Sequence, residues 1–191
     1  MNALGVSMLS REEALNLIKS WISKRNVILH MLAVEAIMRN VARYLGEDEE
    51  VWGLAGLLHD IDYEETEEKP DKHGLLAEEI LKGHVSDEII NAIKAHNFKY
   101  TGVKPQSLLD KALIACDAVS GLLVACALVM PSKKLEEVKV ETVIKKFKDK
   151  DFARGADRER ILLCEAINIP KEKFFGLALQ GLKNIAQDIG L

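Results

Sequence analysis

Cysteine is scarce in this sequence, and the three that occur form no motif. Cys116, Cys126 and Cys164 are odd in number and widely spaced, and none lies in a C-x-x-C pair. This pattern excludes a disulfide framework and a zinc site built from thiolates. Unpaired, scattered cysteine is typical of a reducing compartment, so we expect the protein to be cytoplasmic.

A basic excess is also missing. The chain has 26 Lys and Arg against 30 Asp and Glu, which gives a formal net charge of −4. Proteins that coat nucleic acid usually carry a basic excess. We therefore expect no extended nucleic acid among the partners, although a local basic patch stays open.

Leader and membrane segments are the next features that the sequence lacks. The N-terminal stretch MNALGVSMLSREEAL has no basic region followed by an apolar core, so no signal peptide is predicted. The longest apolar run, residues 112–130, contains Asp117 as its only charge and no aromatic anchors. We interpret it as a helix buried through an α-helical domain, and we expect no membrane partner.

Alternating strand patterns of useful length, repeats and low-complexity segments are absent, whereas helical periodicity covers nearly the whole chain. We expect one all-α domain, a helical bundle with a core over about residues 26–130 and a helical extension over about 131–191. Ser10 and Ser107 read as N-caps, and Gly46 as a stop. Helices are predicted at about 10–23, 26–45, 48–58, 73–81, 86–96, 107–130, 140–148, 157–166 and 170–189, and loops at 64–72 and 97–105.

A few polar residues stand out against these apolar helices. His30 lies within an apolar helical stripe, and His59-Asp60 closes the apolar run GLLHDIDY. Each histidine has an ordinary interpretation, His30 as a packed core residue and His59 as a partner of free helix carbonyls. Asp117 is harder to explain, because burying a lone carboxylate is very costly. Lys111, the nearest basic residue on its helix, lies on a different face.

One divalent ion would account for all of these residues. It would receive two nitrogen and two oxygen ligands from three helices: His30, His59, Asp60 and Asp117. The core of a helical bundle is a normal place for such a site. The donor mixture does not choose among manganese, iron, nickel, zinc and magnesium. An octahedral ion would keep two positions for water or substrate, and its bound water would be a nucleophile.

The order of these residues resembles the H…HD…D signature of the HD-domain metal-dependent phosphohydrolases. GLLHDID is similar to the segment that names the HDIG subgroup, and IACDAVSGL is similar to the helix that carries the distal aspartate. The resemblance covers about residues 26–125. It implies ligand roles for the same four residues, and hydrolysis of a phosphomonoester or phosphodiester, with a nucleotide as the expected substrate.

The resemblance also implies a second ion, as in the binuclear members of the family. HGLLAEEIL begins with His73 and AIKAH ends with His96, and these two would hold that ion with Asp60 as the bridging carboxylate. Gly74 stands where those members have proline. Two ions would clamp the attacking and the leaving oxygen of a phosphoryl transfer.

The sequence departs from each named branch of the family. Asp62 replaces the glycine of HDIG, Tyr63 stands where the nucleotidase branch has glutamate, and Asn97 replaces a histidine of the cyclic-dinucleotide branch. Asp62 is then a candidate general acid or base beside Asp60, a group that orients a metal ligand, or part of an acidic loop.

Three basic residues are candidates for binding a substrate phosphate. Lys94 precedes His96 by two residues, and Arg154 and Arg158 flank a glycine and a new helix start. Arginine forks and helix N-termini both suit phosphate. The alternative for all three is a solvated charged surface or the rim of a protein interface.

These observations predict an enzyme that hydrolyses a small phosphorylated substrate, a nucleotide, with one or two divalent ions. Asp60 and Asp62 are the predicted catalytic residues. The alternative is a non-catalytic regulatory module that keeps the same scaffold and binds a metal or a nucleotide without turnover. The sequence leaves open whether the chain forms a homo-oligomer.

Overall fold

The structure, a computed structural model, describes residues 8–191 of the chain. These residues form helices joined by short connections, and their only extended pairing is an isolated bridge between Lys82 and Val85. The predicted all-α fold is confirmed. The first seven residues of MNALGVSMLSREEAL lie outside the described residues, so the absence of a signal peptide stays a prediction.

Twelve α-helices follow one another along the described residues, with 3₁₀ turns at Leu135–Glu137 and Leu162–Ile167. In chain order they are α1 (Arg11–Trp21), α2 (Arg25–Leu45), α3 (Glu49–Leu58), α4 (Tyr63–Thr66), α5 (Leu75–Leu81), α6 (Asp87–His96), α7 (Phe98–Thr101), α8 (Leu108–Leu128), α9 (Val140–Lys148), α10 (Arg158–Ile161), α11 (Lys171–Asn184) and α12 (Ala186–Ile189).

The ends of the long helices follow the caps that the sequence indicates. Ser10 and Ser107 each accept a backbone hydrogen bond from the third helical residue and complete a capping box with its side chain. Gly46 ends α2 with φ of 76°, a left-handed conformation that glycine adopts at no steric cost. Each of the two serine N-caps stabilises its helix by about 1 kcal/mol.

Short helices and interruptions are where the sequence-based boundaries were wrong. The predicted loops at 64–72 and 97–105 contain α4 and α7, each a single turn of four residues. One turn is too short to show an apolar period of 3.6 residues. In the C-terminal third, the helix predicted over 157–166 turns into a 3₁₀ helix after Ile161, and the final helix is interrupted at Ile185.

The core is centred on α2 and α8, which have 21 residues each. α2 packs against α3 and α11, while α8 packs against α6 and α2. Met31 and Ile37 of α2 and Leu113 and Val119 of α8 are fully buried. Each such side chain contributes about 1.5–3 kcal/mol by leaving water. The two central helices therefore hold His30 and Asp117 on rigid supports.

α8 is also the one helix of residues 8–191 that is long and apolar enough to cross a membrane. In the fold, 61% of its most apolar window is buried against other parts of the chain. Core helices of globular domains pass the same test of length and composition, so the test is weak evidence for a span. The burial agrees with the interpretation of residues 112–130 as a core helix.

A glycine lets α3 approach α2 closely enough to bring His59 to His30. A Cβ atom added at Gly56 would lie 3.0 Å from the backbone N and Cα of Glu35. Real Cβ atoms rarely come that close to backbone, so a side chain here would push the two helices apart. Gly56 therefore sets the spacing on which the position of His59 depends.

Replacing Gly56 by alanine is expected to lower the free energy of unfolding by roughly 1–3 kcal/mol, the usual cost of overpacking a core. Urea denaturation in the presence of a chelator measures this without a contribution from bound metal. Gly121→Ala is the matched control, because its Cβ would meet nothing within 4 Å. That variant should be unchanged or more stable, since alanine favours helix. Equal stability of Gly56→Ala and the original chain would contradict the packing argument.

Candidate metal centre

Four of the five histidines converge with an aspartate at one side of the helical core. Two clusters of ligand atoms result, each with its atoms within 4.8 Å of one another. The first cluster comprises His30, His59 and Asp60, and the second cluster comprises Asp60, His73 and His96. His30 projects from α2, His59 follows α3 directly, and His96 is the last residue of α6.

Asp60 belongs to both clusters, with one carboxylate oxygen facing each. Its Oδ2 lies 3.6 Å from His30 Nε2 and 3.4 Å from His59 Nε2. Its Oδ1 lies 3.3 Å from His73 Nε2 and 3.7 Å from His96 Nε2. This is the arrangement that a carboxylate bridging two cations requires.

Asp117 reaches the first cluster from α8. Its Oδ1 lies 3.2 Å from His30 Nε2 and 3.9 Å from His59 Nε2, and its Oδ2 lies 3.4 Å from Arg160 Nη2. Burial alone would raise the pKa of Asp117, but His30 and His59 hold it well below its usual value. The charge that the apolar sequence of α8 left unexplained is therefore compensated by groups from other helices.

Hydrogen bonds to the protein fix which ring nitrogen of each histidine is free. His59 Nδ1 donates to the carbonyl of Gly56 at 2.8 Å, and His96 Nδ1 donates to the carbonyl of Ile93. A neutral imidazole has one donor and one acceptor nitrogen, so both residues present an Nε2 lone pair to the clusters. Such second contacts are what orient histidine ligands in metal sites.

His30 and His73 are oriented in the same sense. Ser120 donates its hydroxyl to the carbonyl of Asp117 at 2.8 Å, which leaves its oxygen to accept from His30 Nδ1 at 3.3 Å. His73 Nδ1 donates to Asp62 Oδ1 at 2.9 Å. All four histidines thus turn Nε2 towards the clusters.

The facing nitrogen atoms are close enough to need a positive charge between them. His30 Nε2 and His59 Nε2 are 3.2 Å apart, and His73 Nε2 and His96 Nε2 are 3.0 Å apart. Two lone pairs at such distances repel unless a proton or a cation lies between them. Nitrogen and carboxylate donors in this arrangement fit a first-row divalent metal in each cluster.

The carboxylates make this site attract positive charge. Burial would lower the pKa of His59, but Asp60 and Asp117 outweigh it and raise that pKa to about 8. Burial is likewise outweighed at His73, where Asp60 and Asp62 raise the pKa to about 10. The pKa of His96 is lowered, chiefly by burial. A divalent cation would satisfy the same electrostatic demand.

Asp62 is fully buried, and its side chain is engaged within the protein. Its Oδ1 faces His73 Nδ1, and its Oδ2 accepts from the backbone N–H groups of Gly74 and Ala77 at 2.8 and 2.9 Å. These contacts fix the ring of His73 and the start of α5. They favour the orienting role among those considered for Asp62, and its catalytic role stays a prediction.

The three basic candidates lie in different surroundings. Lys94 pairs with Glu78 at 2.9 Å, and Arg154 is exposed and pairs with Asp151 at 3.2 Å. Arg158 donates to six backbone carbonyls around residues 146–156, at 2.6–3.3 Å. The structure does not bring these three residues together with the histidines, and their predicted contact with phosphate stays a prediction.

We expect Arg158 to contribute to the stability of the fold. Arg158→Gln is expected to lower the melting temperature by several degrees, because it leaves carbonyls of the 146–156 segment without their charged donor, at about 1–3 kcal/mol. Arg154→Gln in the same segment is the control and should melt with the original chain, since its ion pair is exposed. Differential scanning calorimetry measures both. Identical melting of the two variants would contradict a structural role for Arg158.

Arg160 is the basic residue that does reach the clusters, and the sequence did not single it out. Its Nη2 donates to the carbonyl of His96 at 2.6 Å and lies 3.4 Å from Asp117. Its Nε is buried and has no hydrogen-bond partner within residues 8–191. The only sequence signal was the basic run around Gly155, in which Arg160 is one of several cations.

A polar cavity of about 200 Å³ opens beside the first cluster. Its walls include His30, Asp117 and Arg160, together with Gly155 and Asp157. The side chains of His30 and Asp117 are 31% and 20% exposed, whereas His59 is fully buried. The first cluster is therefore the one that a ligand in this cavity would meet.

Comparison with known proteins places this geometry in a family. The family model described as HD domain matches residues 27–122, about half of the chain. No solved structure matches the chain.

Among curated proteins, the matches include three proteins named Ribonuclease Y. The one from Desulfotalea psychrophila is 32% identical over 151 residues, which cover 76% of this chain and 28% of that protein. The one from Thermoanaerobacter pseudethanolicus is 30% identical over 171 residues, 86% of this chain and 33% of that protein. The one from Thermosipho melanesiensis is 31% identical over 146 residues, 71% of this chain and 27% of that protein. The chain therefore spans about a third or less of the length of these relatives.

Proposed function

This chain belongs to the HD-domain family of metal-dependent phosphohydrolases, and on that premise we propose that its two clusters form the active site of such an enzyme. The observation that carries the proposal is the position of Asp60, whose two oxygens each face one cluster at 3.3–3.7 Å. His30, His59, Asp60 and Asp117 would hold one divalent ion, and Asp60, His73 and His96 the other. Bound there, such ions supply a water of lowered pKa and neutralise phosphate charge.

The protein's own groups prepare the site for a phosphoester. The carbonyls of Gly56 and Ile93 hold His59 and His96 in one tautomer, and Asp62 does the same for His73. Asp62 thereby acts through His73, and Asp60 is the carboxylate placed among the reacting groups. Histidine ligands held in this way are already oriented to bind a metal.

Arg160 is proposed to contact the phosphate. Its guanidinium lines the polar cavity next to Asp117, and its buried Nε has no partner within residues 8–191. Arginine binds phosphate through charge-assisted, paired hydrogen bonds. A phosphate in the cavity would accept hydrogen bonds from the exposed part of this guanidinium, whose side chain is 27% exposed.

We propose a nucleotide phosphoester as the substrate, and the phosphodiester of RNA as the first form to test. The relatives named Ribonuclease Y support RNA, against the expectation that excluded extended nucleic acid. That expectation rested on the net charge of −4, which describes the whole chain. Arg160 provides positive charge at the cavity itself.

Reconstitution separates an enzyme from a non-catalytic module. The full chain, stripped with a chelator, is loaded with manganese, iron, nickel, zinc or magnesium, and its metal content is measured. Hydrolysis of a short single-stranded RNA, of nucleoside monophosphates and of a bis-aryl phosphate diester is then followed. The proposal expects metal-dependent hydrolysis that His59→Gln abolishes. Metal bound without hydrolysis of any phosphoester would overturn it in favour of the regulatory module.

A further inference from the structure

A second cavity, of about 280 Å³, is also lined by His30 and is mostly apolar. Residues 26, 29, 30 and 33 of α2 and residues 120, 121 and 124 of α8 form most of its wall. Within each set the residues recur after three or four positions, which places them on one face of the helix. Leu29, Ala33 and Val124 supply apolar surface, and Ile189 of α12 closes one side.

The apolar cavity and the polar cavity share two wall residues, His30 and Gly121. A Cβ atom added at Gly121 would meet nothing within 4 Å. No side chain therefore stands between the two cavities at this point of α8. A ligand with its phosphate beside Arg160 could extend past Gly121 into the apolar cavity.

The size and the lining of the apolar cavity indicate which part of a ligand it would hold. Sites for whole small molecules measure about 300–1,000 Å³, so 280 Å³ suits one ring system and not a complete nucleotide. Asn26 carries the one side-chain amide in the wall, and this exposed side chain makes no hydrogen bond to the protein within residues 8–191. An amide offers both donors and an acceptor, which is what the polar edge of a planar base needs.

We propose that the apolar cavity binds the base of the nucleotide whose phosphoester lies at the metal clusters. The inference rests on the proposed function and adds a determinant of specificity to it. The ring would pack against Leu29, Ala33 and Val124, with its edge at Asn26. A base held in this way is unstacked from its neighbours, so single-stranded RNA or a free nucleotide is preferred over a duplex.

The test compares ligands that differ only in the base. Isothermal titration calorimetry measures Kd for a nucleoside 5′-monophosphate and for ribose 5-phosphate on the metal-loaded chain. The expected Kd for the nucleotide is at least tenfold lower. Val124→Phe fills the cavity and should abolish that difference, while the Kd for ribose 5-phosphate is unchanged. Asn26→Ala should raise the Kd for the nucleotide by about two- to tenfold, the usual effect of losing one hydrogen bond, and should leave the Kd for ribose 5-phosphate unchanged.

Leu128→Phe is the matched control, because Leu128 lies one turn further along α8, is exposed and lines neither cavity. It should leave both Kd values unchanged. If the original chain binds nucleotide and ribose phosphate equally while it hydrolyses phosphoesters, the base site is wrong and the proposed function stands. If metal is bound and no phosphoester, RNA included, is hydrolysed, the proposed function fails as well. Should Val124→Phe unfold, Asn26→Ala gives the same comparison, because Asn26 lines the apolar cavity alone.

Discussion

Asp60→Asn should remove the metal from both proposed sites and lower the single-turnover rate of RNA hydrolysis by on the order of 1,000-fold or more. The substitution keeps the shape of the side chain and removes the charge that both clusters share. Loss of an outer partner of a metal ligand costs about 10- to 100-fold, and loss of a bridging ligand should exceed that. Elemental analysis of protein purified without chelator, together with single-turnover kinetics on a short RNA, measures the two effects.

Variants of the histidines make this expectation specific. His59→Gln should remove the ion of the first cluster and His96→Gln only the ion of the second, because each touches one cluster. Asp71→Asn is the control, since Asp71 is exposed and pairs only with its neighbour Lys72. Two ions retained in Asp60→Asn would show that Asp60 is not the shared ligand. If Asp60→Asn, His59→Gln and His96→Gln all lost the same amount of metal, the site would hold a single ion.

Arg160→Gln is expected to lower kcat/KM by roughly 100- to 1,000-fold with metal content unchanged. That range is typical when a fixed donor to developing charge is removed from an active site. Arg160→Lys should restore part of the activity, because lysine keeps the charge but not the paired hydrogen bonds. Steady-state kinetics on RNA, with metal analysis of the same preparations, measures both quantities.

The metal analysis decides how Arg160 acts. Its guanidinium also contacts Asp117 and the carbonyl of His96, so a structural role would reduce metal content together with activity. Arg154, six residues earlier, is exposed and pairs with Asp151, so full activity of Arg154→Gln would contradict its predicted contact with phosphate. Parallel loss of metal and activity in Arg160→Gln would assign Arg160 to positioning and leave the phosphate without this contact.

The sequence predicted that His30, His59, Asp60 and Asp117 lie together because these residues are conspicuous in an apolar setting, and the structure brings them together. A carboxylate inside the apolar run of α8 is costly, and His59-Asp60 interrupts an apolar helix, so both stand out without any coordinates. The bounds of the long helices were predicted because their caps and apolar stripes are visible in the sequence.

Sequence could not separate Arg158 from Arg160. Both lie at the start of α10, and only the fold decides that one turns to backbone carbonyls and the other to Asp117. Ser120 was missed for a similar reason, since a serine inside a helix carries no signal until its neighbour across the interface is known. Contacts between distant segments are set by packing, which residue spacing does not encode.

α8 also sets the distance between the first cluster and the apolar cavity. Asp117, Ser120, Gly121 and Val124 follow one another on a single stripe of this helix, from the first cluster to the apolar cavity. Seven residues of α-helix rise roughly 10 Å. With the base site proposed above, this rise would fix the distance between the ring and the phosphoester of a substrate that engages both cavities. A compound with a shorter or longer spacer would then reach one of the two sites but not both.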